Sequence, residues 1–146
     1  MTEISIVVPV RNEEESIKPF LERTVKVMNN IGKEYEIIFS LDPSTDNTEK
    51  IIQEEIQKNK NIKLLVFSRQ FGQPAATMAG IFNCKGAYCV VIDVDLQDPP
   101  EVIENLYKKI KNGYEVVYAK RKSRKGETFI KKIVSSAAYY IINQLS

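Results

Sequence analysis

Five short apolar runs, at residues 4–8, 35–41, 62–67, 88–92 and 114–119, alternate with stretches whose apolar residues return at helical spacing. Parallel strands can be joined only through a crossover, and a helix is the usual crossover. The alternation therefore predicts an α/β domain with a mostly parallel sheet flanked by helices. Helices are expected at residues 16–28, 46–58, 74–83, 98–111 and 127–145. In the first, Ile17, Phe20, Leu21, Val25 and Met28 share one face. Sheets of this kind bind ligands in the crevice beyond the carboxyl ends of their strands. Residues 9–13, 42–46, 69–72 and 93–98 follow strands and are expected to crowd that edge.

The segment VVIDVDLQDPPE carries the most chemistry. The run at 88–92 is too short for a helix and rich in β-branched residues, so it reads as a strand buried on both faces. Asp93 and Asp95 follow it two residues apart, a spacing at which strand geometry directs both side chains to one side. Converging carboxylates suit magnesium or manganese, which takes oxygen ligands and is commonly held by one or two carboxylates plus substrate phosphates. Aspartates at strand ends also serve as plain turn formers, so the pair takes its meaning from the rest of the edge. Asp98, Pro99 and Glu101 read as N-cap, first helical residue and capping-box partner, and Asp46 with Glu49 reads the same way one helix earlier.

A chain of 146 residues suits one domain. It contains no histidine, which removes serine–histidine and cysteine–histidine hydrolase schemes and leaves acid–base and metal chemistry to carboxylates. No G-x-G-x-x-G turn and no lysine-containing phosphate loop follows the first run, which disfavours dehydrogenases, P-loop enzymes and nucleotidyltransferases. A nucleotide held through a metal-bridged diphosphate remains. A sugar nucleotide fits best, because its diphosphate is at once metal ligand and leaving group. Cys84 and Cys89 lack metal spacing and are expected to be reduced and buried. No apolar run reaches the ~20 residues that cross a bilayer.

SIVVPVRNEEESI, LDPSTDNT, SRQFGQPAATMAGI, DVDLQDPPE and YAKRKSRKGETFIKKIVSSAAYYIINQLS follow one another over almost the whole chain. In these segments it resembles family 2 glycosyltransferases of the GT-A fold, a Rossmann-like nucleotide-diphospho-sugar transferase fold. Within them it is similar to the polyprenyl-phosphate glycosyltransferases, such as dolichyl-phosphate mannosyltransferase and bactoprenol glucosyltransferase. The resemblance implies inverting transfer of a sugar from a UDP- or GDP-sugar to a polyprenyl phosphate, with Mg2+ or Mn2+ as cofactor, at the cytoplasmic face of a membrane. It implies that Pro9, Asn12 and Glu13 line a nucleoside pocket, that Asp42 contacts base or ribose, and that Arg69 faces the donor. It further implies that Asp93 and Asp95 hold the metal, that Gln97 lies beside the diphosphate, and that Arg121 and Arg124 meet the donor diphosphate or the acceptor phosphate. Leu41 stands where the family has the first acid of its turn and Pro43 replaces a glycine, which bears on base recognition. Gln70 replaces a usual asparagine and Val94 a usual alanine. Family members continue past this length, so an amino-terminal portion is expected; a donor-binding or assembly module without turnover is the alternative function.

Charge divides the chain. Residues 120–146 carry seven basic side chains against one acidic, whereas the preceding residues are net acidic. The expected division is a nucleotide-sugar-binding core at 1–119 and a basic amphipathic helical segment at 120–146. There Phe129, Ile133, Val134, Ala137, Tyr140, Ile141 and Leu145 form an apolar stripe, with Lys131 and Lys132 off it. Such a stripe suits the core, a second copy in a homo-oligomer, or an anionic leaflet where each nearby Lys or Arg contributes about 1 kcal/mol. A polyprenyl phosphate favours the leaflet. No nucleic-acid-binding fold accompanies the basic stretch, so nucleic acid is not an expected partner.

Overall fold

The computed structural model describes residues 1–120. Its elements run β1 (Ile4–Val10), α1 (Ile17–Ile31), β2 (Tyr35–Leu41), α2 (Thr48–Lys58), β3 (Ile62–Val66), α3 (Gln73–Phe82), β4 (Tyr88–Val91) and α4 (Val102–Lys111). The strands form one sheet in the order β3-β2-β1-β4, with every pair parallel. This is the α/β architecture that the alternating pattern predicts. Among the described residues, no helix is long and apolar enough to cross a membrane.

All seven residues of β1 are buried, as are six of the seven in β2, because helices cover both faces of the sheet. One face presents Ile6, Val8, Ile37 and Phe39 to the buried stripes of α1, α2 and α4, among them Phe20, Ile52 and Ile103. Phe20 meets Phe39 edge to face with ring centres 6.3 Å apart. Helix α1 ends at Gly32, whose left-handed φ of 67° lets its amide close on the Met28 carbonyl. The opposite face receives α3 through its small residues. Ala76 and Gly80 lie one turn apart and are buried, and a Cβ at Gly80 would stand 2.3 Å from Val7 Cγ1. The AATMAG segment thus lets a helix backbone rest directly on the sheet.

Strand β1 extends past the expected run at 4–8, so that Pro9 lies inside it, paired in register with Ser40. The strand tolerates proline there because successive residues face alternate neighbours. Val10 accepts from Asp42 on the β2 side, while Val7 accepts from Ile92 on the β4 side. Pro9 therefore faces the β4 side, beyond the last ladder pair, Val7 with Val91. No amide is needed at that point.

Four expectations are corrected. Among the described residues the run at 88–92 forms an edge strand of four residues, with Cys89 and Val91 exposed, and not a strand buried on both faces. A continuous apolar run does not distinguish an edge from a centre. The two cysteines are consequently not buried: Cys84 is half-buried and Cys89 exposed, both free, with sulfurs 3.4 Å apart. Residues 114–119 form no strand, and Tyr114, Val116 and Tyr118 are all exposed rather than alternating. Helix α4 also begins later than Asp98 suggests. The amides of Val102 and Ile103 bond the Pro99 and Pro100 carbonyls, making a turn that puts Glu101 at the N-cap. The Glu101 carboxylate is occupied by Arg23 of α1 at 2.7 and 3.1 Å, not by a capping bond. The expected helical segment at 127–145 and its apolar stripe lie outside the described residues.

A polar knot ties the strand origins on the α3 face. Glu36, 2% exposed, accepts from Ser5 Oγ at 2.6 Å, from the Lys85 amide at 2.6 Å, and from Lys63 Nζ. Ser5 Oγ in turn accepts from the Gly86 amide at 2.8 Å, which fixes the turn leading into β4. Burial would raise the Glu36 carboxyl, but the bonds from Lys63, Ser5 and Lys85 outweigh it and hold it below its ordinary value of 4.5. A depressed carboxyl stabilises the fold above its unfolded-state value and loses that contribution as pH falls through its folded-state value. Urea unfolding midpoints are therefore expected to drop as pH falls below 4.5. Glu36→Gln is expected to weaken the fold near neutrality and flatten that acid limb. An unaltered limb would mean that other carboxylates govern it.

Candidate functional site

In a sheet ordered 3-2-1-4 the chain winds outward from β1 through β2 and β3, then returns across the sheet to β4. Loops leaving β1 and β4 diverge, and the crevice between them is where such folds bind ligands. A cleft of about 370 Å³ opens at that point. The end of β1 supplies Pro9, Arg11 and Glu13, the end of β2 supplies Asp42, and the segment after β4 supplies Asp93 and Asp95. Of the residues singled out from the sequence, Pro9, Glu13, Asp42, Asp93 and Asp95 thus come together.

Asn12 is placed differently. It holds a left-handed φ of 55°, accepts the Thr45 amide on Oδ1 at 2.8 Å, and donates its own amide to Ser44 Oγ at 3.0 Å. Next to it the Glu13 amide donates to Thr48 Oγ1 at 2.8 Å, and the Glu14 amide to Asp46 Oδ2 at 3.1 Å. The Glu14 carboxylate answers by accepting the Asn47 amide at 2.9 Å. The loops after β1 and β2 are therefore laced into one unit, with Asn12 as a binding post between them. Asp46 also accepts the amide of Thr48 at 3.0 Å, a local turn that leads into α2. The N-cap is Asn47, and the Glu49 carboxylate accepts from Gln53, so the expected capping box of Asp46 and Glu49 is not formed. Burial would raise the Asp46 carboxyl, but bonds from the Thr48 hydroxyl and amide and from the Glu14 amide keep it below the usual range.

Asp42 is 3% exposed, and its two oxygens accept the amides of Phe71, at 3.2 Å, and Gly72, at 2.8 Å. The acid after β2 thus clamps the loop after β3. Gly72 has a φ of 87°, which only glycine adopts readily, and this turns the chain into α3. Arg69 lays its guanidinium over the Phe71 ring, 4.8 Å from the ring centre, and the loop's share of the cleft wall comes from Gln70 and Gly72.

Asp93 and Asp95 are both exposed, and the Val94 between them is buried, so both acids open toward the cleft. Asp93 Oδ1 accepts from Gln73 Nε2 at 2.8 Å, and Asp95 Oδ1 accepts the Gln97 amide at 3.0 Å. Leu96 follows with a positive φ of 60°, an uncommon conformation for a bulky residue that folds the segment back after the second acid. Neither acid takes part in an ion pair among the described residues. The wall therefore carries four carboxylates, with Arg11 as its cation among the described residues. A diphosphate would be repelled from such a wall unless a cation bridged it. Among the described residues no three acidic or cysteine side chains are placed so that they could hold a metal ion by themselves. Two hard carboxylates fit magnesium or manganese shared with a ligand's phosphates, not a closed protein cage.

Sequence reasoning assigned no role to Arg11, Gln70 or Gln73. All three lie in or beside segments that the strand-end rule marks out, which was the signal available for them. Arg121 and Arg124 lie outside the described residues.

Residues 5–145 match the family model described as glycosyl transferase family 2. The chain belongs to that family. Among its relatives is the glycosyltransferase YkcC of Bacillus subtilis, 44% identical over 142 residues that make up 97% of this chain and 44% of the relative. Another is the undecaprenyl-phosphate 4-deoxy-4-formamido-L-arabinose transferase of Proteus mirabilis, 37% identical over 90% of this chain and 40% of the relative. This family 2 chain thus spans less than half the length of these relatives. Its fold matches that of S. aureus TarS with a TM-score of 0.64 at 20% identity, over 87% of this chain and 24% of TarS. It also matches the mannosyltransferase PcManGT of Pyrobaculum calidifontis, solved with GDP-Man and Mn2+. That match has a TM-score of 0.63 at 19% identity, over 73% of this chain and 31% of the other. The fold is that of the GT-A glycosyltransferases.

Proposed function

We propose that this family 2 chain forms the donor-binding part of an inverting glycosyltransferase that moves a sugar from a UDP- or GDP-sugar to a polyprenyl phosphate. The observation that carries the reading is the opening of Asp93 and Asp95 onto the switch-point cleft beside Glu13, Asp42 and Arg11. TarS solved with UDP and with UDP-GlcNAc, and PcManGT solved with GDP-Man and Mn2+, support a nucleotide-sugar donor and a divalent cation. The undecaprenyl-phosphate transferase of Proteus mirabilis supports the lipid phosphate acceptor.

Under this reading Asp93 and Asp95 would hold magnesium or manganese, which neutralises charge on the diphosphate as the bond to the sugar breaks. Pro9 and Glu13 form the nucleoside wall. Asp42 shapes that wall by holding the loop after β3, and Arg11, also on the cleft wall, would add a fixed positive charge for the diphosphate. An acceptor phosphate oxygen attacks the anomeric carbon in line with the departing nucleoside diphosphate, giving inversion. That oxygen is already ionised, so the reaction needs no strong general base, in keeping with a chain that lacks histidine. Gln97 stands beside the diphosphate, and Arg121 and Arg124 are assigned to the donor or acceptor phosphates. The proposed division places the donor core at 1–119 and a membrane-facing basic segment at 120–146, which puts the protein at the cytoplasmic face of a membrane.

Calorimetric titration with UDP, GDP, UDP-glucose and GDP-mannose, each with manganese and again with chelator, tests the donor site. Binding of one base only, lost with chelator, is expected. No binding to any of the four would overturn the reading.

A further inference from the structure

Gln73, the first residue of α3, spans the cleft wall to one of the two open acids, its Nε2 donating to Asp93 Oδ1 at 2.8 Å. The Gln97 amide meets Asp95 in the same way, on Oδ1 at 3.0 Å. Each carboxylate thus has one oxygen held by an internal donor. We propose that Gln73 is a positioning residue that fixes the orientation of the Asp93 carboxylate for the divalent cation that Asp93 and Asp95 would hold. The proposal rests on the donor-site reading given above.

Four features suit Gln73 to the task. Its backbone is anchored: the preceding Gly72 and Phe71 amides are both held by the buried Asp42 carboxylate, so the start of α3 is tied to the end of β2. Pro74 follows and presets the helical φ of the first turn. Ala76 and Gly80 then seat the helix against β1 and β2, where a side chain at Gly80 would collide with Val7 and Ser40. The carboxamide is also the right chemistry. A neutral donor orients Asp93 without cancelling its charge, whereas a lysine at this position would form an ion pair and compete with the cation. Ligating carboxylates are generally held by such outer hydrogen bonds, and losing one typically lowers metal affinity by about 10- to 100-fold.

The test is titration of the purified chain with Mn2+, with UDP and GDP present, followed by the electron paramagnetic resonance signal of free Mn2+ and paired with thermal unfolding. Gln73→Met keeps the length and removes the donor, and Gln73→Asn keeps the amide but falls one methylene short. Both are expected to weaken Mn2+ binding by about 10- to 100-fold with Tm unchanged. Asp95→Asn is expected to show no specific Mn2+ binding. If both Gln73 variants bind Mn2+ as the wild type does while Asp95→Asn does not, the positioning role is overturned and the donor site stands. If wild type and Asp95→Asn bind alike, the carboxylate site itself is overturned.

Discussion

Asp95→Asn is expected to abolish manganese-dependent nucleotide binding while leaving the unfolding temperature at the wild-type value. The substitution is selective because of what Asp95 touches. Its side chain is exposed, and its hydrogen bond is with the Gln97 amide on Oδ1, which an asparagine oxygen also accepts. The turn survives and only the charge is lost. Removing an outer partner of a metal ligand already costs about 10- to 100-fold in affinity, so removal of a ligand's charge is expected to exceed about a hundredfold. Calorimetry in chelator provides the baseline, where variant and wild type should coincide. Equal manganese-dependent affinity in the two proteins would remove Asp95 from the site.

Asp42→Ala is expected to act on both the fold and the site. Its carboxylate is buried and accepts two backbone amides from the loop after β3, which have no equivalent acceptor once it is truncated. A buried donor left unmet costs about 1–3 kcal/mol, and a loss of that size is expected in urea unfolding. Nucleotide affinity should fall with it, because Gln70, Gly72 and Gln73 all take their places on the cleft wall from the loop that Asp42 holds. Asp42→Asn retains one acceptor oxygen and should lie between alanine and wild type on both measures. Wild-type stability in the alanine variant would mean that the loop is held by its own packing.

The parts of the fold that were legible in the sequence are those in which local pattern and tertiary position agree. Strand β2 runs over 35–41 as expected because a parallel strand covered on both faces must be apolar throughout. The edge strand and the segment at 114–119 were misjudged for the converse reason. Their residues are just as apolar, but whether a strand gains a neighbour is decided by topology and not by composition. Asp98 shows the same limit at shorter range, since the two prolines after it form a turn of their own before α4 begins. At the site, the acids at the strand ends could be placed because a rule of fold geometry selects strand ends whatever their sequence. The partners of those acids could not. The amides that hold Asp42 are 29 and 30 residues away and the Gln73 donor to Asp93 is 20 residues away, and no periodicity encodes contacts across such separations.

The position of Pro9 has a further consequence for how the chain assembles. Strand β1 pairs with β2 through seven residues nearby in sequence and with β4 through four that arrive much later. Shorter loops close at lower entropic cost, so the pairing of β1, β2 and β3 is expected to precede the docking of β4. Until then one margin of β1 is an open row of hydrogen-bonding groups, the kind of surface on which chains aggregate. Pro9 interrupts that row on the β4 side, where its ring offers no donor to an intruding strand. The same residue that lines the cleft would thus act earlier as a guard for the half-made sheet, and the acidic pair that follows β4 would reach its station only when that vulnerable interval is over.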